Sequence, residues 1–156
     1  MKSPETKLSR SSFHTILLVE DNPGDARLVE EALSDPVRAD TLHTVHTGSE
    51  ALDFVDQRDE YADAPAPDLV LLDWHLPGKG GKGILTELND DPNHDHIPVI
   101  VLTGSQSDRE VREAYELNAN ACLSKNSSPD EFEETLRAFE DFWLSAARLP
   151  CDGEES

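Results

Sequence analysis

Four short apolar runs in this 156-residue sequence each end on residues able to do chemistry. Ile16-Leu17-Leu18-Val19 runs into Glu20-Asp21, Leu69-Val70-Leu71-Leu72 into Asp73, Val99-Ile100-Val101-Leu102 into Thr103, and Cys122-Leu123-Ser124 into Lys125. An acid that closes an apolar run just before Trp74-His75-Leu76-Pro77 is poorly explained by packing, because charged groups are rarely buried unpaired. If the runs are parallel strands, Glu20, Asp21, Asp73, Thr103 and Lys125 meet at one edge of the sheet. Carboxylates gathered there suit a hard divalent cation such as Mg²⁺, which takes oxygen ligands and keeps several waters. Asp21 and Asp73 would ligate it directly, Glu20 would hold an outer water, and the His75 backbone carbonyl would supply a further oxygen. Asp73 could then attack a phosphoryl donor as a nucleophile, giving an acyl phosphate. The cation and Lys125 would neutralise the phosphoryl oxygens, while the Thr103 hydroxyl donates a hydrogen bond.

The elements that must position these residues alternate as strand and helix, the pattern of an α/β fold with a parallel sheet. Strands are expected over Thr15–Val19, Thr41–Val45, Asp68–Leu72, Ile97–Leu102 and Ala121–Ser124. The helices between them span Pro23–Ser34, Ser49–Arg58, Gly83–Asn89 and Ser107–Leu117, and Asp59 to Pro67 reads as a loop. Asn22 before Pro23 is a helix N-cap followed by proline at its favoured first position. Ser128-Pro129-Asp130-Glu131 is a capping box that opens a last helix running to Ala147. On that helix Phe132, Leu136, Phe139 and Trp143 form one stripe, with Ala138, Phe142 and Ala146 beside it. Either the core face is wide, or Phe142 and Trp143 belong to a partner or homodimer surface. Right-handed crossovers put the carboxyl ends of such strands on one edge, where ligands bind at the topological switch point.

Composition narrows the classes. The length suits one domain, with no apolar stretch long enough to span a bilayer. A polar start followed by an early Glu20-Asp21 argues against a secretory signal peptide. With two cysteines, Cys122 and Cys151, a reduced cytoplasmic protein is expected. The formal charge of -20 comes from 33 acidic against 13 basic residues, spread along the whole chain. Such a surface repels nucleic-acid phosphates and anionic lipid. It also suits high salt, since at ~1 M the screening length falls to about 3 Å and self-repulsion is largely removed.

The motifs Leu17-Leu18-Val19-Glu20-Asp21-Asn22, Leu71-Leu72-Asp73-Trp74-His75-Leu76-Pro77, Val101-Leu102-Thr103-Gly104 and Ser124-Lys125, with their spacing, resemble the response-regulator receiver domain of two-component signalling. The resemblance covers His14 to Ala147, leaving a flexible segment at 1–13 and an acidic tail at 148–156. It implies a flavodoxin-like doubly wound (βα)5 fold with strand order 2-1-3-4-5. It further implies that Asp73 accepts phosphate from the histidine of a sensor kinase, with Mg²⁺ held by Asp21 and Asp73. Such a receiver promotes its own phosphorylation and dephosphorylation rather than acting as an enzyme, and signals through protein contacts or onward phosphotransfer. The extended segment before Asp68, Tyr115-Glu116-Leu117-Asn118-Ala119-Asn120 and Phe142-Trp143-Leu144 with Leu149-Pro150 resemble the single-domain regulators that accompany phytochrome-type sensor kinases. Two positions depart from the pattern. Cys122 stands at the switch position where the family has an aromatic, leaving Tyr115 or a backbone shift to serve instead. Asn126 stands where proline commonly follows the lysine.

Three rival readings compete with this one. Gly78-Lys79-Gly80-Gly81-Lys82-Gly83 matches G-x-G-x-x-G, but a dinucleotide-binding enzyme would start that turn where the strand ends and would place an acid at Thr103. A flexible loop beside Asp73 is the better account. His94-Asp95-His96 suggests a metal site, yet it precedes a strand and so lies at the edge opposite Asp73, where a solvated loop is favoured. A pseudo-receiver that binds partners without phosphorylation is opposed by the intact acid, threonine and lysine set, and kept open by Cys122.

Overall fold

The computed structural model describes residues 15–33, 41–104, 107–125 and 128–141. The five strands are β1 Thr15–Val19, β2 Thr41–Val45, β3 Leu69–Asp73, β4 Val99–Thr103 and β5 Ala121–Ser124. Between and after them come α1 Pro23–Ala32, α2 Gly48–Asp56, α3 Gly80–Asp90, α4 Asp108–Glu116 and α5 Pro129–Phe139. All neighbouring strands pair in parallel, in the order β2-β1-β3-β4-β5. This is the flavodoxin-like arrangement. The order reverses between β1 and β3, so the crevice above their carboxyl ends is the switch point.

Alternation along the strands builds a core on each side of the sheet. Leu17, Val19, Val70, Leu72, Val99 and Val101 face α2, α3 and α4, packing with Phe54, Ile84, Leu85, Leu88 and Ala114. Ile16, Leu18, Leu69, Leu71, Ile100 and Leu102 face α1 and α5, packing with Val29, Phe132, Leu136 and Phe139. β3 and β4 are buried along their whole length, whereas β5 at the sheet edge is half-buried. Burying an aliphatic or aromatic side chain of this kind stabilises by roughly 1.5–3 kcal/mol, which is why these runs hold their register.

The caps act where they were expected. Asn22 accepts from the Gly24 and Asp25 N–H groups, with Pro23 opening α1. Ser128 accepts from the Glu131 N–H at 3.1 Å. The acidic loop carries a single 3₁₀ turn at Asp59–Tyr61, whose Tyr61 ring packs on Phe54.

Gly83–Asn89 forms the core of the third helix as expected, and the helix starts at Gly80 with no side-chain cap. Gly80 and Gly81 are poor helix formers, so propensity argues against them. Packing decides otherwise. A Cβ on Gly81 would stand 2.6 Å from the Asp73 carbonyl oxygen and 2.8 Å from Trp74 Cα. The Gly81 N–H instead donates to the Trp74 carbonyl at 3.1 Å. The helix start thus sits directly on the backbone that follows Asp73.

The segments 1–13 and 148–156, the end of the last helix, and Phe142, Trp143, Ala146, Asn126 and Cys151 lie outside the described residues. On the described part of α5, Phe132, Leu136 and Phe139 are buried while Ala138 is exposed. Among the described residues, no helix is long and apolar enough to cross a membrane.

Candidate functional site

Every residue expected at the strand ends is found there. β1 delivers Glu20 and Asp21, β3 ends on Asp73, β4 on Thr103, and β5 is followed by Lys125. Asp73 pairs in register with Leu102, and Thr103 with Ser124, so the polar residues stand side by side across the sheet. Glu20, Asp73 and Thr103 are buried, and one carboxylate oxygen from each of Glu20, Asp21 and Asp73 lies within 4.8 Å of the others.

Lys125 ties the group together. Its Nζ lies 3.3 Å from Asp73 Oδ1 and 3.0 Å from Glu20 Oε1. It donates to Glu20 Oε2 at 3.1 Å and to Asp25 Oδ2 at 2.9 Å. The Lys125 N–H also donates to the Thr103 carbonyl at 2.9 Å, fixing where the side chain starts. His75 is exposed, but its N–H donates to Asp73 Oδ1 at 3.2 Å, so its backbone stays against the acid.

The electrostatics follow from these distances. Three carboxylates, those of Glu20, Asp25 and Asp73, pair with one ammonium, and that of Asp21 lies beside Glu20 and Asp73. Burial pushes the Glu20 carboxyl up to about 8, helped by the hydrogen bond and charge of Asp73, against a downward pull from Lys125. Desolvation and Asp73 likewise push Asp21 above the usual carboxylate range. Burial works against the Lys125 charge, yet the Asp25 bond, the Asp73 charge and Glu20 together hold its proton more tightly than on a free lysine. The site is thus short of positive charge. An oxygen-only donor set with surplus negative charge suits a hard divalent cation.

Two participants were not anticipated from the sequence. Asp25 lies in the first turn of α1, and nothing in the local sequence ties it to Lys125. Glu110 on α4 meets the His75 imidazole at 3.0 Å. With the Lys82–Glu113 ion pair at 2.7 Å, it joins the segment after Asp73 to α4.

Cys122 is half-buried on the edge strand, and burial pushes its thiol up. Its backbone N–H donates to the Tyr115 hydroxyl oxygen at 3.2 Å, so the phenol of α4 reaches the strand at the switch position. Gly78 and Gly80 have positive φ values of 79° and 75°, which glycine adopts without strain, and they form the turn between β3 and α3. That is the loop beside Asp73 that the sequence favoured. Of the His94-Asp95-His96 stretch, only His94 is enclosed; Asp95 and His96 are exposed.

Residues 16–137 match the response regulator receiver domain. Response regulator Rcp1 of Synechocystis sp. is 38% identical over 136 residues, covering 87% of this chain and 92% of that protein. The crystal structure of Mn²⁺-bound Rcp1 superposes with a TM-score of 0.83 at 37% identity, over 88% of this chain and 99% of that one. The phosphorylated cyanobacterial phytochrome response regulator RcpA gives 0.84 at 39% identity, over 89% and 99%. With this sheet order and these strand-end residues, the chain belongs to the response regulator receiver family.

Proposed function

We propose that this receiver takes a phosphoryl group onto Asp73 from the phosphohistidine of a sensor histidine kinase, with Mg²⁺ held at Glu20, Asp21, Asp73 and the His75 carbonyl. The observation that carries this reading is the buried Asp73 carboxylate, 3.3 Å from the Lys125 ammonium and within 4.8 Å of two further acids. When bound, the cation supplies charge neutralisation for the phosphoryl oxygens. An Asp73 carboxylate oxygen forms the new bond to phosphorus as the phosphorus–nitrogen bond of the donor breaks, and the electron pair leaves with the imidazole. Lys125 stands where it can meet the transferred phosphoryl oxygens, and Thr103 offers a hydroxyl from the neighbouring strand end. Burial and the charge of Asp73 favour the protonated form of Glu20, and a bound cation would favour its carboxylate.

A phytochrome-type kinase is the partner class best supported, because RcpA, a phytochrome response regulator, is 39% identical over 89% of this chain. Phosphorylation replaces one negative charge with a dianionic group. The readout runs through the α4–β5 surface, where Tyr115 bonds the Cys122 backbone, as a shift between two pre-existing states. The signal leaves by contact with a downstream protein or by onward phosphotransfer.

The test is intact mass measurement after incubation with Mg²⁺ and acetyl phosphate in high salt. Wild type is expected to gain a single phosphoryl group and Asp73→Asn none. A folded wild type that gains nothing leaves the pseudo-receiver reading standing. Equal labelling of the variant moves the acceptor to another residue.

A further inference from the structure

A second group of ionisable side chains meets at the opposite end of the sheet. Asp56 is the last residue of α2, Asp91 follows the last residue of α3, and His94 lies in the turn that leads to β4. One imidazole nitrogen and one oxygen from each carboxylate lie within 4.8 Å of one another. His94 Nε2 is 2.8 Å from Asp56 Oδ1 and 3.6 Å from Asp91 Oδ2. The outer oxygens are already committed. Asp56 Oδ2 pairs with Arg58 at 3.2 Å, and Asp91 Oδ1 accepts from the Asn93 N–H at 2.9 Å. The His94 side chain is only 14% exposed, and the backbone N–H of His94 donates to the Asp91 carbonyl at 2.8 Å. Three donor atoms, one from the end of α2 and two from the turn after α3, therefore lie close together.

A proton on Nε2 reaches only one of the two acids, and the other, 35% exposed, is left to water. A single Nε2 hydrogen serves one acceptor well, and here it serves Asp56. The Asp91 oxygen at 3.6 Å is beyond hydrogen-bonding distance from the same nitrogen. A cation bonded to all three would serve both acids at once. Zinc–ligand bonds of about 2.0–2.2 Å in a tetrahedron put neighbouring ligand atoms ~3.3–3.5 Å apart. The two distances from the imidazole nitrogen, 2.8 and 3.6 Å, bracket that value.

We propose that Asp56, Asp91 and His94 form a second cation site, for a borderline divalent transition ion of the Zn²⁺ class, with water completing the shell. The imidazole separates it chemically from the oxygen-only strand-end cluster, which suits harder ions. Arg58 is a positioning residue: it holds the outer Asp56 oxygen and the Asp53 carboxylate, both at 3.2 Å. Occupancy would tie the end of α2 to the α3–β4 turn.

The test is Zn²⁺ titration of the full chain by calorimetry, with excess Mg²⁺ to fill the strand-end site and high salt to suppress loose association. One Zn²⁺ per chain is expected, with at least a tenfold loss of affinity in His94→Asn and in Asp91→Asn. Asp91→Asn leaves the His94–Asp56 bond in place, so it separates lost ligation from a lost fold, which circular dichroism checks for both variants. Wild-type spectra should show the His94 imidazole resonances shifting with one equivalent. No Zn²⁺ uptake, or uptake unchanged by both substitutions, overturns the site. Uptake abolished by Asp21→Asn instead assigns the ion to the strand ends and equally overturns it.

Discussion

The two ends of the sheet gather carboxylates in opposite ways. At the carboxyl edge Glu20 and Asp73 are sealed from water and share Lys125, itself only 14% exposed. At the amino edge the Asp56 and Asp91 side chains remain about a third exposed, at 33% and 35%, with Arg58 paired to Asp56 and the His94 imidazole beside both. Water screens the second group and reaches it freely. It does neither for the first, so the same side-chain type there carries a large desolvation cost, and Glu20 is pushed up to about 8. Burial, more than the number of acids, separates a site able to drive phosphoryl transfer from one that would at most hold an ion.

Removing the shared cation at the buried end should have the largest effect. Lys125→Met leaves Glu20, Asp25 and Asp73 facing one another, and breaking a buried pair costs about 3–5 kcal/mol. Urea unfolding of the metal-free protein at neutral pH should register that loss, with part of it recovered on adding Mg²⁺. A loss below about 1 kcal/mol, the level of an exposed pair, would mean the buried acids do not depend on Lys125.

The pH dependence sharpens the contrast next. The Glu20 carboxyl lies at about 8 in the folded chain against 4.5 ordinarily, so the folded state binds its proton more tightly. Its contribution to stability is fully present below the ordinary value and is lost as pH rises through about 8. Metal-free protein should therefore lose stability from this group between those limits, and Glu20→Gln should flatten the slope. Unfolding midpoints measured across that range in chelator would decide it; an identical slope in the variant would remove Glu20 as the cause.

The smallest effect belongs to the exposed end. Arg58→Ala removes two pairs to Asp53 and Asp56 from a side chain that is 56% exposed, and such pairs are worth about 0–1 kcal/mol. A thermal melt should shift little, and less in high salt. A shift matching that of Lys125→Met would erase the distinction between the two ends.

Much of this was legible in the chain. Odd and even residues of the apolar runs do face opposite cores, and Asn22 and Ser128 cap the helices they precede. Local rules suffice there, because alternation and caps depend on near neighbours. They fail at Gly80-Gly81, where two poor helix formers open α3: Gly80 takes a positive φ of 75°, and a Cβ on Gly81 would collide with the Asp73 carbonyl and Trp74. They fail again at Asp25, which a helix-capping rule assigns to the α1 start although its Oδ2 accepts from Lys125, 100 residues away.

What the sequence determined by itself is the set of strand ends and the chemistry they carry, since apolar runs closing on Glu20-Asp21, Asp73, Thr103 and Lys125 leave parallel strands few other arrangements. What only tertiary structure decided is how charges from distant segments balance. Asp25 joins Lys125, Glu110 meets His75, and Asp56 and Asp91 converge on His94. The physical reason is range. Periodicity and capping act over a few residues, whereas an ion pair or a shared proton depends on distances that exist only once separate helices have packed on the same sheet.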